Sequence, residues 1–327
     1  MSPLGRRLRG HLGLAALAAF VVADVVLVAL ALGSTAATPG SAGSAPRPSP
    51  ATTTSPGPAA GGDPAASQGA VTGGTQTPTP SFSLVPAPLD VGVVAVDVDT
   101  AWRFVVGDCA KGGSTVTITR DGGRTWEPMV APFDTTVRIR VRDTGGAFAI
   151  GSDDSCTPRF RLAAKDATTW GSPLPVPGAW YRDPSDPAAV GTAAGTRAKP
   201  CGDSAVIDLG VTDHSAEALC ADGRLRRSET GETWTGGGAV EGGLALASTA
   251  TRTLVARTAD GCTGVAVVDA TSPDTALGCA EVDLATVEPG QVALAERNGQ
   301  AWLVAGDTVF QSSADLSEWT AATGSSD

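Results

Sequence analysis

Histidine, tyrosine and methionine are nearly missing from this chain, with two, one and two copies in 327 residues. Beyond residue 86 the only histidine is His214, beside Asp213 in an expected turn, so a Ser-His-Asp triad would depend on that single side chain. No C-x-x-C pair occurs, which removes the commonest zinc-binding pattern, and no metal or cofactor is expected. Positive charge is also short. The formal charge is −11, and the four arginines and two aspartates of residues 1–86 leave the remainder at −13. A domain that acidic repels phosphate backbones, so nucleic acid is not an expected partner.

What is present begins with Arg6, Arg7 and Arg9 ahead of an apolar run from Leu12 to Gly33. Twenty-two residues at helical rise span about 33 Å, the thickness of a bilayer core. The expectation is a cytoplasmic tail (1–11), a single membrane-spanning anchor (12–33) and export of everything beyond it. Cleavage as a signal peptide, giving a secreted protein, is the alternative. Residues 34–86 are Pro, Ala, Gly, Ser and Thr with almost no charge, a composition unable to offset its own ordering entropy, so a disordered linker is expected there. Residues 87–321 are left as the folded domain and 322–327 as a tail.

Within that domain Thr119-Arg120-Asp121-Gly122-Gly123-Arg124-Thr125-Trp126 fits the pattern S/T-x-D-x-G-x-T-W. A carboxylate that accepts main-chain N–H groups, two glycines free to take positive φ and a tryptophan that covers a sheet edge make a rigid hairpin clip. The octet resembles the Asp-box of sialidase-like and photosystem II assembly-factor-like β-propellers. The resemblance implies a structural role for Thr119, Asp121, Gly123, Thr125 and Trp126, away from the ligand face. A weakened copy keeps Gly231, Thr233 and Trp234, with Glu229 where the acid is expected. The octets ending at Trp170 and Trp319 read as having lost both acid and glycine.

Short apolar runs recur with these turns. Ala101-Trp102-Arg103-Phe104 returns as Ala301-Trp302-Leu303-Val304, with weaker versions between. Such spacing is the mark of blades around an axis, and the expected fold is an all-β propeller of about five blades, with six or seven as alternatives. Ser81–Val85 is expected to add an outer strand to the last blade.

The strand Val137–Arg142 alternates strictly, with three aliphatic side chains on one face and Arg138, Arg140 and Arg142 on the other. As an inner strand it would line the axial channel, where the arginines either bind an anionic sugar or carboxylate or pair with acids of neighbouring blades. Residues 178–200 read as a long inter-blade loop, which makes Trp180 and Tyr181 candidate ligand contacts. Cys109, Cys156, Cys201, Cys220, Cys262 and Cys279 form an even set, consistent with three disulfides in an exported domain, and sequential pairing is expected.

Sialidases use a tyrosine nucleophile, a partner glutamate and an arginine cluster near Arg-Ile-Pro. Here Tyr181 stands alone and no Arg-Ile-Pro occurs, so no catalytic residue is assigned. The expected role is a noncatalytic binding or scaffold module in a bacterial cell envelope, facing a protein or glycan ligand. A glycoside hydrolase and a structural spacer are the alternatives.

Overall fold

A computed structural model describes residues 83–142, 145–164 and 169–322. The expected tail, membrane anchor and most of the linker lie outside the described residues. No helix among the described residues is long and apolar enough to cross a membrane.

The described chain is all-β except for one 3-10 turn, Leu284–Thr286, and it forms six sheets in sequence. Blade 1 holds β1 (Val91–Ala95), β2 (Ala101–Val105), β3 (Thr115–Thr119) and β4 (Glu127–Met129). Blade 2 holds β5 (Thr135–Val141), β6 (Ala147–Ser152), β7 (Arg159–Ala163) and β8 (Leu174–Pro175). Blade 3 has three strands only, β9 (Tyr181–Arg182), β10 (Val190–Gly191) and β11 (Arg197–Ala198). Blade 4 is β12 (Val206–Val211), β13 (Ala216–Cys220), β14 (Arg224–Ser228) and β15 (Thr235–Ala239). Blade 5 is β16 (Gly243–Ser248), β17 (Thr253–Arg257), β18 (Gly264–Asp269) and β19 (Ala276–Glu281). Blade 6 is β20 (Val292–Arg297), β21 (Gln300–Ala305), β22 (Thr308–Ser312) and β23 (Trp319–Ala321). Every blade is an antiparallel meander, and in the five four-stranded blades the earliest strand is innermost.

The blade number is therefore six, and the inter-blade loop expected at 178–200 is blade 3. Its strands are two residues long, too short to print a period on the sequence. Closure also differs from expectation. Ser83–Val85 forms no strand, and all four strands of blade 6 come from the C-terminal end. The ring shuts through side chains instead. Trp302, fully buried in β21, packs edge-on to Trp126 of blade 1 at 6.4 Å, and its indole N–H donates to Asp97 O.

That packing repeats. Trp170 of blade 2 meets Trp102 of blade 1 at 6.4 Å, and Trp234 of blade 4 meets Trp180 of blade 3 at 5.6 Å, both nearly perpendicular. Each is a turn tryptophan set against the preceding blade, in the edge-to-face arrangement that aromatic quadrupoles favour.

The turns explain why the tryptophans hold their places. Asp121 accepts from Thr119 Oγ1 (2.9 Å), Thr125 N (3.0 Å) and Thr125 Oγ1 (2.7 Å), while Thr119 Oγ1 accepts from Gly123 N at 2.9 Å. Gly122 and Gly123 take φ 74° and 83°. In blade 4 Ser228 Oγ accepts from Gly231 N at 2.8 Å, and among the described residues neither Glu229 nor Thr233 makes a side-chain hydrogen bond. The blade 6 turn corrects the sequence reading. Asp315 accepts from Ser313 Oγ (2.6 Å), Ser317 N (3.2 Å) and Ser317 Oγ (2.9 Å), and Leu316 stands at φ 65°. The acid was kept in a turn one residue shorter.

Three disulfides join Cys109 to Cys156, Cys201 to Cys220 and Cys262 to Cys279, and no free cysteine remains among the described residues. The first ties blade 1 to blade 2, and the second flanks the β12–β13 hairpin. They suggest an oxidising, extracytoplasmic environment.

Candidate functional site

The inner strands enclose an axial cavity of about 980 Å³. Five of them, β1, β5, β12, β16 and β20, run the same way, and the exposed residues Arg142, Asp213, His214, Ala250 and Asn298 mark the end at which they finish. That end is the mouth. The Thr119–Trp126 turn lies at the same end, since Gly122 N donates to Asp99 O in the β1–β2 turn.

At the opposite end the chain that precedes β1 crosses the axis as a strap. Ser83 Oγ lies 3.4 Å from Thr258 Oγ1 of blade 5, and Leu84 is buried in the core. Leu89 N donates to Ile207 O of blade 4 (3.1 Å), and Leu89 O accepts from Arg182 of blade 3 at 2.7 Å. Leu89 then borders both the large cavity and a smaller one of about 180 Å³ beneath it. The channel is thus a cup with a floor.

The arginine face of β5 looks toward blade 3, and its aliphatic face packs on blade 1, where Ile139 joins the core of Trp102 and Phe104. Within the cup Arg138 donates to Trp180 O and stacks over Phe148, 5.3 Å from the ring centroid. Burial, with the like charge of Arg140 beside it, lowers its pKa to about 10. Arg140 pairs with Asp213 across the gap between blades 2 and 4, holding that carboxyl below its ordinary range. Arg142 is exposed at the mouth and makes no ion pair among the described residues.

Tyr181 lines the cup, and burial raises its hydroxyl pKa. The Trp180 side chain does not; it is buried against Trp234. Three residues that sequence reasoning passed over also line the cup. Asp208 accepts from Leu209 N (2.7 Å) and Leu246 N (2.8 Å), and burial raises its pKa against those bonds and Arg182. Arg182 is lowered by burial. Glu296 pairs with Arg252 at 3.4 Å through one oxygen, while the other has no partner. Asp208 and Glu296 sit in the inner strands Val206–Val211 and Val292–Arg297, where a lone acid in an apolar strand is the legible signal. No group of three or more metal-ligating side chains exists among the described residues.

The molecule is a six-bladed all-β propeller with a floored axial cup. No known family profile and no curated protein matches the sequence. Among solved structures it is similar to YCF48 bound to D1 peptide (16% identity, 73% of this chain and 82% of that one, TM-score 0.38). It is also similar to the WD40 propeller domain of Doa1 (16%, 73% and 87%, 0.41) and to the exo-β-1,3-galactanase of Phanerochaete chrysosporium (8%, 72% and 60%, 0.37). Binding proteins and hydrolases both occur among these neighbours, and the likeness extends to the fold alone.

Proposed function

We propose that this chain is a noncatalytic binding propeller, held outside a bacterial membrane by residues 12–33, that takes its ligand in the axial cup. The observation that carries the reading is how the cup's ionisable groups are engaged. Arg138 caps a carbonyl, Arg140 is latched to Asp213, Asp208 accepts two main-chain N–H bonds and Glu296 pairs with Arg252, so these groups are held in place around a cavity of ligand size whose β5 wall carries guanidinium groups. Immobilised full-length chain in detergent should retain an envelope protein or glycan. Val211→Trp, which fills the cup from an inner strand, should release it. Equal retention by both chains would move the binding surface out of the cup, and none by either would favour a spacer.

One observation favours a hydrolase. Asp208 is a carboxyl with a raised pKa in a cavity, a property of general acids. Turnover of any aryl glycoside by the full chain, lost in Asp208→Asn, would replace the binding reading.

A further inference from the structure

Blade 3 lacks its innermost strand. The other five inner strands run from floor to mouth, but β9 runs the other way. It leads into Asp183–Pro187, which borders the small cavity together with Thr135 and Val206, the first residues of β5 and β12. The sequence agrees. Ala179-Trp180 precedes β9 as Ala101-Trp102 opens β2 and Ala301-Trp302 lies in β21, and all three tryptophans receive a turn tryptophan edge-on. So β9 matches a second strand, and its inner side borders the cup directly. Asp183 N donates to Ala189 O, and antiparallel pairs alternate, so the N–H and C=O of Arg182 point away from β10 toward the axis. Arg138 guards this edge by capping Trp180 O, and the Arg140–Asp213 pair bridges the gap above it.

We propose that an extended acidic peptide binds in the cup as the missing inner strand of blade 3, antiparallel to β9, with its carboxylates on Arg138 and Arg140. This rests on the cup being a binding site and names the ligand class for it. Among the described residues the main-chain N–H and C=O of Arg182 have no partner, and such groups supply affinity in strand addition, while side-chain pockets supply specificity. Six residues at strand rise cover about 20 Å, the reach of the seven-residue β5 and the six-residue β12 on either side. Charge selects the peptide. Arg138 lies beside Arg140 and pairs with no carboxylate among the described residues, and Arg142 waits at the rim. A carboxylate entering the slot relieves that repulsion and competes with Asp213 for Arg140. The rest of the surface, strongly acidic, rejects the same peptide elsewhere.

The test uses the full-length chain in detergent and a fluorescent peptide of sequence Val-Glu-Val-Glu-Val-Glu. Anisotropy should report binding that weakens with salt, and the Val-Lys counterpart should not bind. N-methylation of the amides on one edge of the peptide should weaken binding at least tenfold, while the other edge tolerates it. Hydrogen exchange at the Arg182 amide should slow. Arg138→Met should cost more than tenfold. Should that variant unfold, Arg142→Ser at the exposed rim should still cost about threefold, and the N-methyl pair is independent of either. Equal binding by both N-methylated peptides, or unchanged exchange at Arg182, overturns strand addition. Tetragalacturonate binding with the same Arg138 dependence, in place of the peptide, also overturns it yet leaves the cup as the binding site. If neither anion binds and Val211→Trp leaves retention unchanged, both readings fall.

Discussion

A single carboxylate shows how much one side chain fixes here. Asp121 closes its turn with three hydrogen bonds, two of them from Thr125, and these hold its pKa at about 2. The unfolded chain titrates near the ordinary aspartate value of about 3.9, so the ionised turn adds stability that is fully present above that pH and is lost as pH falls toward 2. Asp315, also at about 2, acts in the same window. Acid titration followed by circular dichroism should therefore show stability falling between about pH 4 and 2. Asp121→Asn should be less stable at neutral pH and flatter across that window. At the seam between blades 1 and 6, Trp302→Ala removes a fully buried indole and should cost about 3–5 kcal/mol in urea unfolding, the range for large aromatic truncations.

At the level of the element, the disulfides divide into one that links blades and two that lie within blade 4 and blade 5 or at their edge. In the chain-entropy treatment a loop of 47 residues gives about 4 kcal/mol and one of 17–19 residues about 3. Replacing Cys109 and Cys156 by serine should therefore lower the urea midpoint more than replacing Cys262 and Cys279. Exchange should also rise on both sides of the blade 1–blade 2 contact. Blades 1, 2, 4, 5 and 6 were legible because strands of five to seven residues carry an alternation, and because tryptophan ends four of their turns. Blade 3 was not legible by period, since two-residue strands have none. Its signal was the dipeptide Ala179-Trp180, the same pair that marks β2 and β21. Asp315 was overlooked because a fixed eight-residue frame cannot register a turn one residue shorter. Of the site, the alternation in β5 placed the arginines on one face correctly. Which of them would be latched, capped or left open depended on Asp213 and Trp180, residues distant in sequence.

For the whole molecule, the strap matters most. Leu84 and Leu89 are buried against blades on the far side of the axis, so each should cost about 2–3 kcal/mol when cut to alanine. Leu89→Ala should also join the two cavities, detectable as faster hydrogen exchange at Asp90, whose amide bonds Gly290 O.

Because that strap is fastened to Ile207 and Arg182 across the ring, tension arriving from the amino-terminal side does not peel β1 off strand by strand. The load meets blade 5 at Ser83 first and then blades 4 and 3 at Leu89, before it reaches β1.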